Sequence, residues 1–210
     1  MILIGQYDSP FVRRVGIALR IYGMAFEHRP WSTFGDADKL RQFNPLTRVP
    51  TLVLDDGVAL IESGAILDYL DELAGPERAL MPRAGVARRD ALRLCALATG
   101  LADKAVALVY ERALHSAQSA LWAERCASQI GGVLAGLEAA RKAEPRAFFA
   151  GAAPGHADIA LACALRFTDE AHPGQFDRAR LPALARHAAS CEGMAVFRDI
   201  SQPFAPPGKG

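Results

Sequence analysis

The stretch that most limits how this chain can fold is Val49–Leu73, V-P-T-L-V-L-D-D-G-V-A-L-I-E-S-G-A-I-L-D-Y-L-D-E-L. Two short apolar runs, Thr51 to Leu54 and Val58 to Ile61, flank Asp55-Asp56-Gly57, a turn signal that spells an antiparallel hairpin. Pro50 opens the first strand, where a missing N–H costs no ladder bond, and an X-Pro bond is the one peptide bond that goes cis cheaply. The second strand runs straight into Glu62-Ser63 and a helix, because Ala65, Ile66, Tyr69, Leu70 and Leu73 recur at helical spacing and Gly75-Pro76 stops it. A carboxylate and a hydroxyl thus stand at a helix N-terminus. Its unpaired N–H groups and positive dipole end favour a bound carboxylate, and Glu62 suits an ammonium, so the pair matches the two ends of an amino acid. The plainer reading is a capping serine beside a first-turn acid.

Upstream, Met1 to Gly5 is a short apolar strand, and Tyr7-Asp8-Ser9-Pro10 turns into a helix with Ser9 as N-cap and Pro10 as first helical residue. That helix continues through Val12, Val15, Ala18, Leu19 and Tyr22 to Gly23. Ala25 to Arg29 reads as a second strand, and Asp36 to Phe43 as a brief polar helix closed by Asn44-Pro45. The order β-α-β-α-β-β-α, one right-handed crossover followed by a hairpin, makes a four-stranded mixed sheet of thioredoxin-like type.

From Gly75 to Gly85 the composition turns to Gly and Pro, the mark of a linker. Beyond it every long segment reads as helix. The chain is therefore expected to be α/β plus all-α, with a thioredoxin-like domain over residues 1–75, a linker over 76–85 and an all-helical domain over 86–210. Val86 to Ser116 is long for one helix, and its middle, Leu92 to Val109, is apolar enough to be buried on several sides. Trp122 to Lys142 is a second helix, in which Gly131, Gly132 and Gly136 would permit close helix approach or a bend. The run Ala160 to Leu165 is the central helix of this half, with Asp158 placed to reach back to the Gly155 N–H as half of a capping box. Gly at that position, where a serine or threonine would complete the box, costs one side-chain bond. Leu181 to Ala189 and Met194 to Ile200 are short closing helices, and the tail Gln202 to Gly210 is expected to be irregular and poorly ordered.

With 51% hydrophobic residues, 22% charged and a net charge of +1, nothing favours nucleic acid or an anionic membrane as partner. The opening M-I-L-I-G-Q-Y-D lacks the basic flank of a signal peptide and there is no apolar run of about 18 residues, so a cytoplasmic protein is expected. Cys95, Cys126, Cys163 and Cys191 lie far apart without metal-ligand spacing and read as reduced thiols, with no metal expected.

Ser9-Pro10-Phe11, Arg48-Val49-Pro50-Thr51-Leu52, Asp56-Gly57, Glu62-Ser63 with the following Ile66 and Leu70, and the late Gly151, Ala157-Asp158-Ile159 together resemble the cytosolic glutathione S-transferase family, in its bacterial serine type, over essentially the whole chain. The resemblance implies a glutathione site on the first domain and an apolar second-substrate site against the helical one. Val49 would bond the cysteinyl backbone, across a cis Val49-Pro50 bond, and Glu62 and Ser63 would hold the γ-glutamyl end. Ser9 matches the catalytic hydroxyl, and Phe11, Arg48 and Pro50 complete the implied site. Tyr7 is the rival for Ser9, since a tyrosine does this job in other branches, and Ser9 as a mere cap is the plain alternative. Trp31 and Phe34 lie on loops near the implied site. Asp103 is the candidate acid that in a homodimer would reach the glutamyl amine of the partner subunit, or else a solvated helix residue. Tyr110, Arg112, His115 and Trp122 are candidates for the border of the electrophile pocket.

The expected activity is addition of the glutathione thiolate to small hydrophobic electrophiles, a detoxification chemistry. Glutathione-dependent peroxide reduction or dehalogenation at the same site, and a non-catalytic interaction protein on the same fold, are the alternatives.

Overall fold

The computed structural model describes residues 1–207 of the 210-residue chain, so the last three residues of the expected tail lie outside the described residues. Strand β1 (Ile2–Ile4) pairs in parallel with β2 (Glu27–Arg29) and antiparallel with β3 (Thr51–Val53), which pairs antiparallel with β4 (Ala59–Ile61). The order β2-β1-β3-β4 is the mixed sheet of a thioredoxin-like domain. Helices α1 (Pro10–Tyr22), α2 (Ala37–Arg41) and α3 (Ser63–Ala74) complete this half. The hairpin turns where expected, with Val58 N–H donating to Asp56 Oδ1 at 3.0 Å.

The second half holds α4 (Gly85–Leu114), α5 (Ala120–Ala143), α6 (His156–Ala171), α7 (Pro182–Glu192) and α8 (Ala195–Asp199). Helix α6 is buried along most of its length and packs against both α4 and α1, so one helix serves the cores of both halves. Arg13, in the first turn of α1, ties that turn to the end of the helical half. Its Nε donates to the Ile200 carbonyl at 2.8 Å, and its two terminal nitrogens bond both oxygens of Glu192 at 2.6 and 2.8 Å.

Two expectations are corrected here. The α5 glycines make no close approach: an added Cβ at Gly131, Gly132 or Gly136 would meet nothing within 4 Å, and α5 runs unbroken. Helix α4 is buried along Leu94, Ala98, Leu101, Ala105 and Leu108, but Leu92 and Tyr110 are exposed, so its burial is one-sided where Leu92 stands. At Gly155 the expected arrangement is present: no side-chain cap bond is made, while the Asp158 half of the box remains. A Cβ there would come within 2.8 Å of both Ala150 Cβ and the Leu80 carbonyl, leaving no room for the serine that the capping box would use. Asp158 compensates, accepting from the N–H groups of Phe149 (2.8 Å), Ala150 (3.2 Å) and Gly155 (3.0 Å) while fully buried.

The halves are joined at Asp71 on α3. Its carboxylate accepts from the Tyr22 hydroxyl on α1, from the Leu80 and Met81 N–H groups of the linker at 3.1 and 3.2 Å, and from His156 Nε2 on α6 at 2.9 Å. Burial works against its charge, but the bonds from His156, Tyr22 and Leu80 outweigh burial and hold the carboxyl below its ordinary value.

Two stability outcomes follow from these contacts. Gly155→Ser, nominally a better cap, is expected to lower stability by about 1–3 kcal/mol through overpacking, read as a lower urea midpoint at unchanged slope. Because the native Asp71 carboxyl titrates lower than in the unfolded chain, its stabilisation is complete above about pH 4 and is lost as pH falls through the lowered native value. Asp71→Asn should therefore cost about 3 kcal/mol at neutral pH and leave a shallower acid limb in stability measured against pH.

Candidate active site between the two domains

A cleft of about 540 Å³ opens between the halves. Its floor comes from Gln6, Asp8, Ser9, Pro10 and Phe11 at the start of α1, and from Thr47, Arg48 and Val49. Trp31 and Phe34 flank it, and Val106, Val109, Tyr110 and Phe167 of the helical half face it. A second cavity of about 360 Å³ adjoins it, lined by Glu62, Gly64, Arg14, Cys95 and Thr99 among others, and Phe11 and Asp103 border both.

Local chemistry explains the placement of each group. Ser9 caps α1 with its Oγ accepting the Val12 N–H at 3.4 Å, which leaves the hydroxyl proton available for a further acceptor in the cleft. Val49-Pro50 is cis. Asn44, fully enclosed, holds this loop: its Nδ2 donates to the Arg48 carbonyl at 2.9 Å and to Thr51 Oγ1 at 3.0 Å, and its Oδ1 accepts the Leu46 N–H at 2.9 Å. Gly5 allows the loop to close on α1, since a Cβ there would fall 2.5 Å from Val12 Cγ2 and 2.8 Å from Val49 Cβ, at a φ of 130°.

Glu62, not Ser63, is the N-cap of α3, with φ at 71°. A non-glycine residue in that region is held there by its surroundings, a strain that concentrates at functional sites. Ser63 is buried beneath it, its Oγ donating to Glu62 Oε1 at 3.3 Å.

The candidates separate clearly. Ser9, Phe11, Arg48, Val49, Trp31, Phe34, Asp103 and Tyr110 line the main cleft, and Glu62 lines its extension. Tyr7 does not line either cavity: its ring stacks on His28 at 3.8 Å, and burial pushes its hydroxyl up to about 12. Arg112 bonds His172 at 2.9 Å, His115 bonds Glu111 at 2.9 Å, and Trp122 lies under Lys104, all away from the cleft. Asp103 reaches the cleft within a single chain. Desolvation, then repulsion from Glu62, pushes its carboxyl up, with Arg48 opposing. All four cysteines are free and buried, and burial raises the Cys95 and Cys191 thiols and brings Cys163 to about 11. Among the described residues no cluster could hold a metal ion, and no helix is long and apolar enough to cross a membrane.

The sequence reading missed Arg14 as well as Asn44. Arg14 is buried at 5% exposure on the wall of the smaller cavity, and among the described residues its guanidinium makes no hydrogen bond or ion pair; burial lowers its pKa, against the pull of Cys95, Cys163 and Glu62. Two adjacent arginines inside an apolar helix face, Arg13-Arg14, were the available signal.

A thioredoxin-like domain with a cis-proline loop, set against a helical domain across a cleft, defines the class of the molecule. The sequence matches the profile for the glutathione S-transferase N-terminal domain over residues 3–78 and that for the C-terminal domain over residues 120–190. It superposes on a glutathione S-transferase from Methylobacterium radiotolerans, solved with glutathione sulfonate, at a TM-score of 0.89 and 31% identity, covering 100% of this chain and 97% of that one. It also superposes on a glutathione S-transferase from Methylobacillus flagellatus with glutathione bound, at 0.87 and 28%, covering 97% and 99%. The chain belongs to the glutathione S-transferase family. Among curated sequences it is 36% identical over 118 residues to the uncharacterized GST-like protein YibF of Escherichia coli, and spans 56% of this chain and 58% of that protein's length. It spans about a third of others, such as glutathione S-transferase U7 of Arabidopsis thaliana, at 34% identity over 70 residues, 33% of this chain and 31% of that protein.

Because an unpaired buried charge is destabilising, Arg14→Met is expected to leave the ligand-free chain as stable or to raise its stability by about 1 kcal/mol or more. A fall in thermal midpoint of several degrees would mean that the guanidinium is satisfied within the fold.

Proposed function

We propose that the protein is a glutathione transferase of the serine type, in which Ser9 holds the glutathione thiolate and a small apolar electrophile meets it in the main cleft. The observation that carries this reading is that Ser9 Oγ, at the N-terminus of α1, shares one cleft with Val49 of the cis-proline loop and an apolar wall from α4 and α6. In this reading residues 1–75 carry the glutathione site, 76–85 are the linker, and 86–210 carry the acceptor side.

The energetics suit the task. A free thiol titrates near 8.5, and lowering that by about two units needs roughly 2.7 kcal/mol of preferential anion stabilisation. A hydroxyl donating to a charged sulfur contributes about 1.5–3 kcal/mol. The helix dipole adds about 0.3–1 kcal/mol. The thiolate then attacks the electrophilic carbon of, for instance, a haloarene; the C–S bond forms, the carbon–halogen bond breaks, halide leaves with the bonding pair, and the thiol proton goes to solvent. Val49 bonds the cysteinyl backbone beside Pro50, and Arg48 and Phe11 border the peptide. Glu62 takes the glutamyl ammonium with Asp103 beside it, while Ser63 and the unpaired Arg14 take the glutamyl carboxylate. Asp103 serves this end from its own chain in the present reading, without requiring a partner subunit. The enzyme would act in the cytoplasm as a homodimer, in detoxification, with glutathione as co-substrate and no metal.

A second reading is glutathione-dependent isomerisation of a small unsaturated acid. It is favoured by likeness to maleylpyruvate isomerase from Pseudomonas aeruginosa, at a TM-score of 0.74 and 29% identity over 96% of each chain. The two part on the product, which contains glutathione only in the transferase.

The test is an ultraviolet titration of thiolate absorbance with glutathione bound to the wild type and to Ser9→Ala. The expected outcome is a bound thiol pKa lowered in the wild type and returned by about one unit or more toward 8.5 in the variant, with kcat/KM for a halonitroarene falling about tenfold or more. An equally lowered pKa in both would leave Ser9 as a cap alone.

A further inference from the structure

Among the described residues, the charged side chains that line the main cleft are Asp8, Arg48 and Asp103. Arg48 and Asp103 answer each other: Arg48 opposes the burial and the Glu62 repulsion that push the Asp103 carboxyl up. Asp103 also borders the smaller cavity that Glu62 lines, so this pair belongs to the polar end of the cleft. Asp8 stands apart from it, half-buried beside Ser9 at the apolar end. Its Oδ2 accepts the Ala205 N–H at 3.2 Å, and the neighbouring Phe204 ring stands edge-on to Phe167 with centroids 5.4 Å apart.

The Asp8 carboxylate is bonded only by backbone N–H groups, those of Ala205 and Ser9 and its own. Burial pushes its carboxyl up, those bonds oppose the shift by favouring the anion, and the nearby Glu170 adds a small repulsion. Glu170 itself is answered on α6 by Arg166, whose Nε donates to Glu170 Oε1 at 2.8 Å, and it accepts the Phe204 N–H at 2.8 Å. Among the described residues no cation answers Asp8. The apolar end of the cleft therefore carries one uncompensated negative charge, between low-dielectric walls that strengthen its field. A negative charge beside Ser9 works against a thiolate there. The group it can favour is the acceptor.

We propose that Asp8 is a specificity-determining residue whose carboxylate makes the acceptor end of the cleft select neutral and cationic electrophiles over anionic ones. This selection rests on the glutathione transferase reading above and gives its acceptor a charge class. It also separates that reading from the isomerase one, because an unsaturated acid would have to enter against the Asp8 charge. Asp8→Asn removes the charge and keeps an oxygen for the Ala205 N–H.

The experiment titrates glutathione and three conjugates of similar length, S-butylglutathione, S-(3-carboxypropyl)glutathione and S-(4-aminobutyl)glutathione, by calorimetry into the full chain and into Asp8→Asn. The buffer is slightly alkaline and low in salt, so that carboxyl groups are ionised and screening is weak. In the full chain the carboxypropyl conjugate should bind about three- to tenfold more weakly than the butyl conjugate, and the aminobutyl conjugate at least as tightly as the butyl one. In Asp8→Asn the anionic conjugate should recover to within about twofold of the neutral one, and the cationic conjugate should lose any advantage. Ratios between conjugates cancel any change that the variant makes in glutathione binding itself. In the full chain the discrimination should shrink as salt rises. A chain ending after Pro207, which lacks Lys209, should keep the same order of affinities. Equal binding of anionic and neutral conjugates in the full chain, or a discrimination that survives in Asp8→Asn, would overturn the role of Asp8 while leaving the transferase reading in place. Absence of glutathione binding in the full chain would overturn the transferase reading and the acceptor selection with it.

Discussion

Everything the cleft does depends on the Asp71 carboxylate keeping the two halves in register. It gathers donors from α1, the linker and α6, so four segments distant in sequence converge on one charge. A charge this enclosed is tolerated only because its oxygens are bonded on several sides. The Leu80 carbonyl then accepts the His156 N–H at 3.2 Å, and Gly155 has no side chain so that this approach can occur. Asp158, one turn into α6, captures the loop over residues 148–151 in the same region. Asp71 and the buried Asp158 therefore determine where α6 sits, and α6 carries Phe167 to the cleft wall.

On that frame the candidate site divides by chemistry. The α/β side presents helix N-termini, a cis-proline loop and a positively strained Glu62, all suited to the polar backbone of a small peptide. The helical side and the tail present rings and branched side chains. A thiolate formed at Ser9 would lie at the seam, where hydroxyl and dipole stabilise charge on one side and apolar surface excludes water on the other.

What was legible in the sequence was local. The hairpin at Asp56-Gly57 and the Ser9 cap followed by Pro10 rest on neighbours within a few residues, and each stands where expected; the cis Val49-Pro50 bond came from the family resemblance, and the α3 cap fell on Glu62 instead of Ser63. Long-range contacts were not legible. Asn44-Pro45 read only as a helix stop, although the Asn44 amide organises the loop that carries Arg48 and Val49. Asp71 was not singled out at all, because its partners lie as far as 85 residues away. The side-chain bond missing at Gly155 was legible, but its reason was not: Ala150 and Leu80 occupy the space a Cβ needs. The tail read as a loose end, although a lone phenylalanine among prolines was a signal of a stiff apolar segment.

The most direct measurement is a crystal structure of the protein with glutathione. The account predicts the sulfur within hydrogen-bond reach of Ser9 Oγ, the cysteinyl backbone paired with Val49, and the γ-glutamyl end between Glu62, Ser63 and Arg14. Glutathione bound with its sulfur directed away from Ser9, or absent from the cleft at saturating concentration, would contradict it.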